Sequence, residues 1–179
     1  EFIDHAAPEL RVWCWQTWAE RVEGILIWAT DYWTTPAAYP EPGRPQNPYE
    51  DPMSWVREAA PGVRKPWGNG DGRFLYPPES AIEGPAPRRG SGPVLEAPVD
   101  SIRWEQLRDG IEDYDYLALL RSRLVAHGTA LPEADRIRYA ALLEVPPAIA
   151  SGLTTFTRSP EPIETRRREI AAAIAALVR

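Results

Sequence analysis

"GILIWATDYW", residues 24–33, decides how the rest of this chain reads. Gly24 stops a preceding helix, and Ile25 to Trp28 is a short continuous apolar run. Such a run suits a strand covered on both faces, as in a parallel sheet. Polar and aromatic residues gather at its C-terminal end: Thr30, Asp31, Tyr32 and Trp33. Upstream, "PELRVWCWQTWAERV" (8–22) predicts a helix. Pro8 suits its first turn, and Leu10, Cys14, Trp18 and Val22 recur at helical spacing with Trp15 beside them.

Downstream, residues 34–100 hold most of the chain's 20 prolines and 12 glycines. They read as one long loop without regular structure, of the kind that carries function. Its aromatics, Tyr39, Tyr49, Trp55, Trp67, Phe74 and Tyr76, argue for order, because disordered segments are poor in them. "EGPAPRRGSGPVLEAP" (83–98) is the candidate mobile loop. A long helix follows, capped by Asp100 or Ser101, with Trp104, Leu107, Ile111, Tyr114 and Ala118 on one stripe. It runs to about Ala126 and ends near Gly128. A second helix follows Pro132 and stops at Pro146-Pro147. A last helix places Ile163, Ile170, Ile174 and Leu177 on its apolar face.

Helix, buried strand, long loop and helix fit the closing part of a (β/α)8-type barrel, an α/β fold that is helix-rich here. Residues 1–33 then supply a helix plus the final barrel strand, 34–100 a loop over the barrel mouth, and 101–179 the closing helix with extra C-terminal helices. In a barrel, chemistry sits on loops at the C-terminal ends of strands. "TDYW" and the "NGDG" of 69–72 both belong there.

The composition narrows the partners. With 179 residues, 44% of them apolar and 26% charged, the chain is sized and composed for one globular domain. No window offers the roughly 20 apolar residues of a membrane helix. The net charge of -6 argues against nucleic acid and anionic membranes as partners. One cysteine and two histidines give no disulfide and no zinc pattern, so no metal and no cofactor is expected. The chain starts at Glu1 inside an apparently structured run and shows no signal peptide, which reads as a piece of a longer protein.

Three constellations carry potential chemistry. In "RWEQLRDGIEDYDYL" (103–117), Glu105, Asp109 and Glu112 fall opposite the apolar stripe. Arg108 is spaced to pair with Glu105 and Glu112. That is a solvated ion-paired face rather than a pair of catalytic carboxylates. In "WATDYW", Asp31 can accept hydrogen bonds from sugar hydroxyls. Tyr32 and Trp33 suit either stacking on a pyranose or core packing, and Trp28 suits the core. In "NGDG", Asn69 and Asp71 lack the further oxygen ligands of a calcium loop; a tight turn holding Asp71 over a pocket fits better. Cys14 has no nearby histidine and reads as a buried small apolar side chain.

Four blocks in order resemble the C-terminal part of the catalytic module of glycoside hydrolase family 123. They are "FIDHAAPELRVWCWQTWAERVEGILIWATDYW" (2–33), "NGDGRFLYPP" (69–78), "SIRWEQLRDGIEDYDYLALL" (101–120) and "FTRSPEPIETRRREIAAAIAAL" (156–177). The resemblance implies a barrel hydrolase acting on β-linked N-acetylgalactosamine. Its retaining mechanism would be substrate-assisted, an exception to the two-carboxylate scheme. The substrate's acetamido oxygen is the nucleophile, an Asp orients it, and the adjacent Glu is the general acid. In the family that Asp-Glu pair precedes the blocks found here. Glu50-Asp51 and Glu112-Asp113 are in reverse order and in other blocks, so no catalytic residue is assigned. Asp31, Tyr32, Trp33, Asn69 and Asp71 are the expected substrate contacts. The implied partners are a carbohydrate substrate and an N-terminal part of the same barrel. The other class of function is a non-catalytic carbohydrate-binding or scaffold module of the same fold.

Overall fold

The computed structural model of the protein describes residues 2–35, 46–78 and 95–177. The chain divides into two units, Glu1–His5 with Leu26–Glu105 and Ala6–Ile25 with Gln106–Arg179. The described elements are four α-helices, one short 3-10 helix and two small antiparallel sheets. The fold is mixed α/β. No helix among the described residues is long and apolar enough to cross a membrane.

The second unit is helical. α1 spans Pro8–Ala19, with proline in its first turn as its sequence dictates. It ends earlier than the apolar spacing suggests. Glu20 is the C-cap, and Arg21 takes a left-handed φ of 56°. The stop is therefore three residues before Gly24, and Val22 is exposed rather than part of the apolar stripe. α2 spans Ile102–His127. Ser101 Oγ accepts the Trp104 amide at 3.2 Å, so Ser101 and not Asp100 is the cap. α3 spans Glu133–Ala141 and α4 Glu161–Leu177. α3 ends short of Pro146-Pro147 because its last amides bond three residues back, Leu142 to Tyr139 and Leu143 to Ala140, both at 3.1 Å.

Val12, Trp15, Leu117, Leu120, Ile149, Ile163, Ile170, Ala173 and Leu177 form the core of this unit. The inward stripe of α2 differs from the apolar reading. Leu107, Gly110, Asp113, Leu117 and Leu120 are buried, while Ile111 is 52% exposed. The reason is an ion pair between helices. Arg11 Nε donates to Asp113 Oδ2 at 2.6 Å, Trp15 Nε1 donates to the same oxygen at 2.9 Å, and Arg167 Nη1 lies 3.3 Å from Asp113 Oδ1. Arg11 also pairs with Glu164. A charge that is 1% exposed, as Asp113 is, requires such partners. Arg108 does pair with Glu112, at 3.7 Å on the surface. Cys14 is buried, and its thiol is pushed up to about 11 by burial and by Asp113.

The first unit holds the two sheets. β1, Met53–Ala60, and β2, Val63–Asn69, form an antiparallel hairpin with Trp55 opposite Trp67 and Arg57 opposite Lys65. Pro61 and Gly62 make the turn, and Gly62 N donates to Glu58 Oε1 at 2.9 Å. β3, Leu75–Tyr76, pairs antiparallel with β4, Val99–Asp100. The reading of 34–100 as a loop without regular structure is corrected by these strands. Residues 36–45 and 79–94, with most of the expected mobile loop, lie outside the described residues.

The strand expected within 24–33 is also corrected. Residues 24–30 form no strand; the one ladder contact is the bridge between Asp31 and Arg73. Leu26 is 79% exposed and Trp28 44%. An apolar run becomes a central strand only where ladder partners line both edges. Among the described residues it has none, and no parallel strand pair is present.

Candidate functional site

In the first unit, a tight turn following β2 gathers an aromatic cluster around one carboxylate. Asp71 Oδ2 accepts the Trp55 indole N–H at 2.9 Å, and its Oδ1 accepts that of Trp28 at 3.1 Å. Tyr32 stacks on Trp55, with ring centroids 5.8 Å apart and planes 25° apart. Trp28 meets Tyr32 edge-on at 5.1 Å, and Trp67 lies 6.3 Å from Trp55 across the hairpin. The hairpin register explains the last pair, since directly opposed residues share a face.

The glycine after Asp71 is required on two counts. Gly72 has φ +72°, where a side chain is strained, and a Cβ there would sit 2.6 Å from Trp28 Cζ2. The backbone is thereby pressed against the indole. Tyr32 N donates to Gly72 O at 2.9 Å, and Asp71 N to Gly68 O at 3.0 Å.

Beneath the turn lies Arg73, which is fully buried. Its Nη1 donates to Pro52 O at 2.9 Å and to Ser54 Oγ, and its Nη2 to Gln46 Oε1 at 3.1 Å. Its guanidinium carbon sits 5.5 Å from the Tyr32 ring centroid. Ser54 Oγ in turn donates to Asp71 O at 2.5 Å. Burial pushes the Arg73 pKa down, partly offset by Tyr76, Tyr32, Asp51 and Asp71. Arg103 supports the turn through Gly70 O at 2.7 Å and through Arg73 O.

Of the five residues expected to contact substrate, the structure draws two, Tyr32 and Asp71, into this cluster. Asp31 is exposed, tied through its backbone to Arg73. Trp33 is half-buried and donates its indole N–H to Leu75 O at 2.9 Å. Asn69 donates to Asp4 Oδ1 at 2.9 Å, and its own Oδ1 is a buried acceptor with no partner among the described residues.

Trp28 belongs to the cluster rather than to a core strand, and Trp55, Trp67 and Arg73 are members that sequence reasoning did not assign. One signal for the tryptophans was present. Trp55 and Trp67 flank Pro61-Gly62, a turn dipeptide, six residues before it and five after it. No comparable signal marked Arg73.

The arrangement suits the apolar face of a sugar ring, with the indoles of Trp28 and Trp55 held by N–H bonds to Asp71 and thereby fixed in orientation. Asp71 is the carboxylate of the cluster, and both its oxygens hold indoles. Acid–base hydrolysis by two carboxyls requires a second one about 5–9.5 Å away; the cluster's hydrogen bonds engage only the Asp71 carboxylate. No group of three His, Cys, Asp or Glu side chains that could hold a metal occurs among them either. The family described as glycoside hydrolase 123, catalytic domain, matches residues 1–120. Three of the four resembling blocks fall within that match, and the block at 156–177 lies beyond it. No curated protein matches the chain.

Proposed function

The chain belongs to the glycoside hydrolase 123 catalytic family, and from that premise we propose that it forms the sugar-binding wall of a β-N-acetylhexosaminidase. Membership in a glycoside hydrolase family implies a carbohydrate substrate. The finer reading is an N-acetylgalactosamine-like sugar, hydrolysed with retention by its own acetamido group. The Asp-Glu pair of that mechanism lies in other residues of the same barrel. Tyr32 supplies a stacking face and Asp31 and Trp33 extend the wall. Asn69 and Asp71 supply polar contacts, each carboxylate or amide oxygen retaining lone pairs for a hydroxyl.

The observation that carries this reading is the pair of bonds from Trp28 and Trp55 to Asp71. An aromatic surface ordered before ligand arrives binds without the cost of ordering it. In the full-length protein, Tyr32→Ala and Trp55→Ala should each raise KM for a chromogenic N-acetyl-β-galactosaminide by about tenfold. Unchanged KM in both would remove the cluster from the substrate site.

A second reading, a non-catalytic carbohydrate-binding module, is favoured by the engagement of both Asp71 oxygens. Turnover separates the two. The 179-residue chain alone should show no hydrolysis, whereas the full-length protein should. Binding without turnover by the full-length protein selects the second reading.

A further inference from the structure

The second unit carries a concavity that the aromatic cluster of the first unit does not explain. A groove of about 620 Å³ lies at the C-terminal end of α1, with Trp18, Arg21, Tyr114, Arg121 and Glu144 in its lining. That volume is in the range of small-molecule sites. Trp18 is locked in place, since its Nε1 donates to Leu143 O at 2.8 Å. Tyr114 meets it edge-on at 5.2 Å, and the Arg121 guanidinium lies 4.6 Å from its ring centroid.

Arg121 is thus held by an aromatic face rather than by a carboxylate. Stacking leaves the N–H groups of its planar fork available to an acceptor. Arg21 is unusual in a different way. It is the one non-glycine residue with positive φ among the described residues, at the position after a helix end where glycine is usual. Backbone strain of this kind clusters at binding and catalytic sites.

Neither Arg21 nor Arg121 joins an ion pair among the described residues, whereas Arg11, Arg108 and Arg167 of the same unit do. The lining holds two arginines and one carboxylate, Glu144, so the groove carries a net positive charge in a chain of net charge -6. This combination selects an anion, and a carboxylate matches the guanidinium fork. Glu144 and the Tyr114 hydroxyl suit hydroxyl groups beside that carboxylate, and the aromatic wall suits a ring.

We propose that this groove binds an acidic saccharide, with its carboxylate on Arg21 and Arg121 and its hydroxyls toward Glu144 and Tyr114. The residues lining the groove belong to the second unit and those around Asp71 to the first, and the proposal does not depend on hydrolysis. Calorimetric titration of the full-length protein tests it, with digalacturonate as probe and lactose and acetate as controls. Digalacturonate should bind saturably and the controls should not at the same concentration. Arg21→Gly and Arg121→Gln should each weaken digalacturonate at least tenfold. Arg21→Gly should at the same time raise the melting temperature, because glycine accepts φ 56° freely. A higher melting temperature with lost binding excludes misfolding as the cause. The proposal is overturned if digalacturonate gives no binding, if either control binds as tightly, or if both variants keep the wild-type affinity.

Discussion

Asp71 and Trp55 are bonded across the turn after β2, carboxylate to indole at 2.9 Å, and the other oxygen of Asp71 holds Trp28 in the same way. The carboxylate is therefore an organiser of the aromatic surface before it is anything else. A residue so placed links turn geometry to ring orientation, and its loss acts on binding through the rings.

Asp71→Ala in the full-length protein releases both indoles. Hydrogen bonds to a charged group are worth roughly 1.5–3 kcal/mol each, and loss of one effective bond lowers kcat/KM roughly 10- to 150-fold. Asp71→Asn keeps one acceptor and should fall between Ala and wild type. Steady-state kinetics check this, with tryptophan emission reporting the freed indoles. Emission that shifts while kcat/KM stays unchanged would make the cluster structural only.

Gly72→Ala and Gly62→Ala separate backbone strain from indole contact. Both positions have φ above +70°, but a Cβ at Gly62 meets nothing within 4 Å, whereas at Gly72 it meets Trp28 Cζ2 at 2.6 Å. The shared backbone cost is about 1–2 kcal/mol. Gly72→Ala should unfold at lower denaturant than Gly62→Ala, and it alone should disturb tryptophan emission. Equal midpoints would mean that Trp28 moves aside freely.

The Arg11–Asp113 pair should behave as a buried ion pair in a thermodynamic cycle. Arg11→Met leaves Asp113 buried beside Trp15 and Arg167 and should cost about 3–5 kcal/mol. Arg11→Met with Asp113→Leu should cost clearly less than the two single changes added together. Urea unfolding of the four proteins measures the coupling. The partner Glu164 adds a pH signature. The hydrogen bond from Arg11 outweighs burial and holds the Glu164 carboxyl below its ordinary value of 4.5. Its contribution is present above that value and is lost as pH falls through the lower folded-state value. Glu164→Gln should flatten the acid limb of the stability profile and leave its neutral limb parallel to wild type.

Cys14 should resist modification. Burial, aided by Asp113, raises its thiol from 9.0 to about 11, so little thiolate exists at pH 8. A thiol reagent should label it slowly in the folded chain and promptly in denaturant. Because the folded value is raised, this group's contribution is complete below the ordinary value and disappears as pH climbs through about 11. Rapid native labelling at pH 8 would show that α1 opens easily.

Local chemistry in the sequence determined the start of α1 at Pro8, the start of α2 next to Asp100 or Ser101, the apolar positions Ile163, Ile170 and Leu177 of α4 and the family. Each is set within a turn or two of chain, or by blocks of residues read in order. Tertiary structure alone decided the rest. Nothing near Asp113 in sequence marks it for burial; Arg11, 102 positions earlier, is what pairs with it. Ile25 to Trp28 reads as a central strand, but strand formation depends on edges that the run itself does not contain. The hairpin around Pro61-Gly62 was obscured by the charged residues of β1 and by Pro66, and cross-strand pairing of Trp55 with Trp67 overrode both. Arg73 carries no local signature; it is buried because carbonyls and a hydroxyl from residues 46–54 converge on it. Capping and periodicity act between near neighbours and are legible in one dimension, whereas the burial of a charge depends on partners that only the folded chain brings within reach.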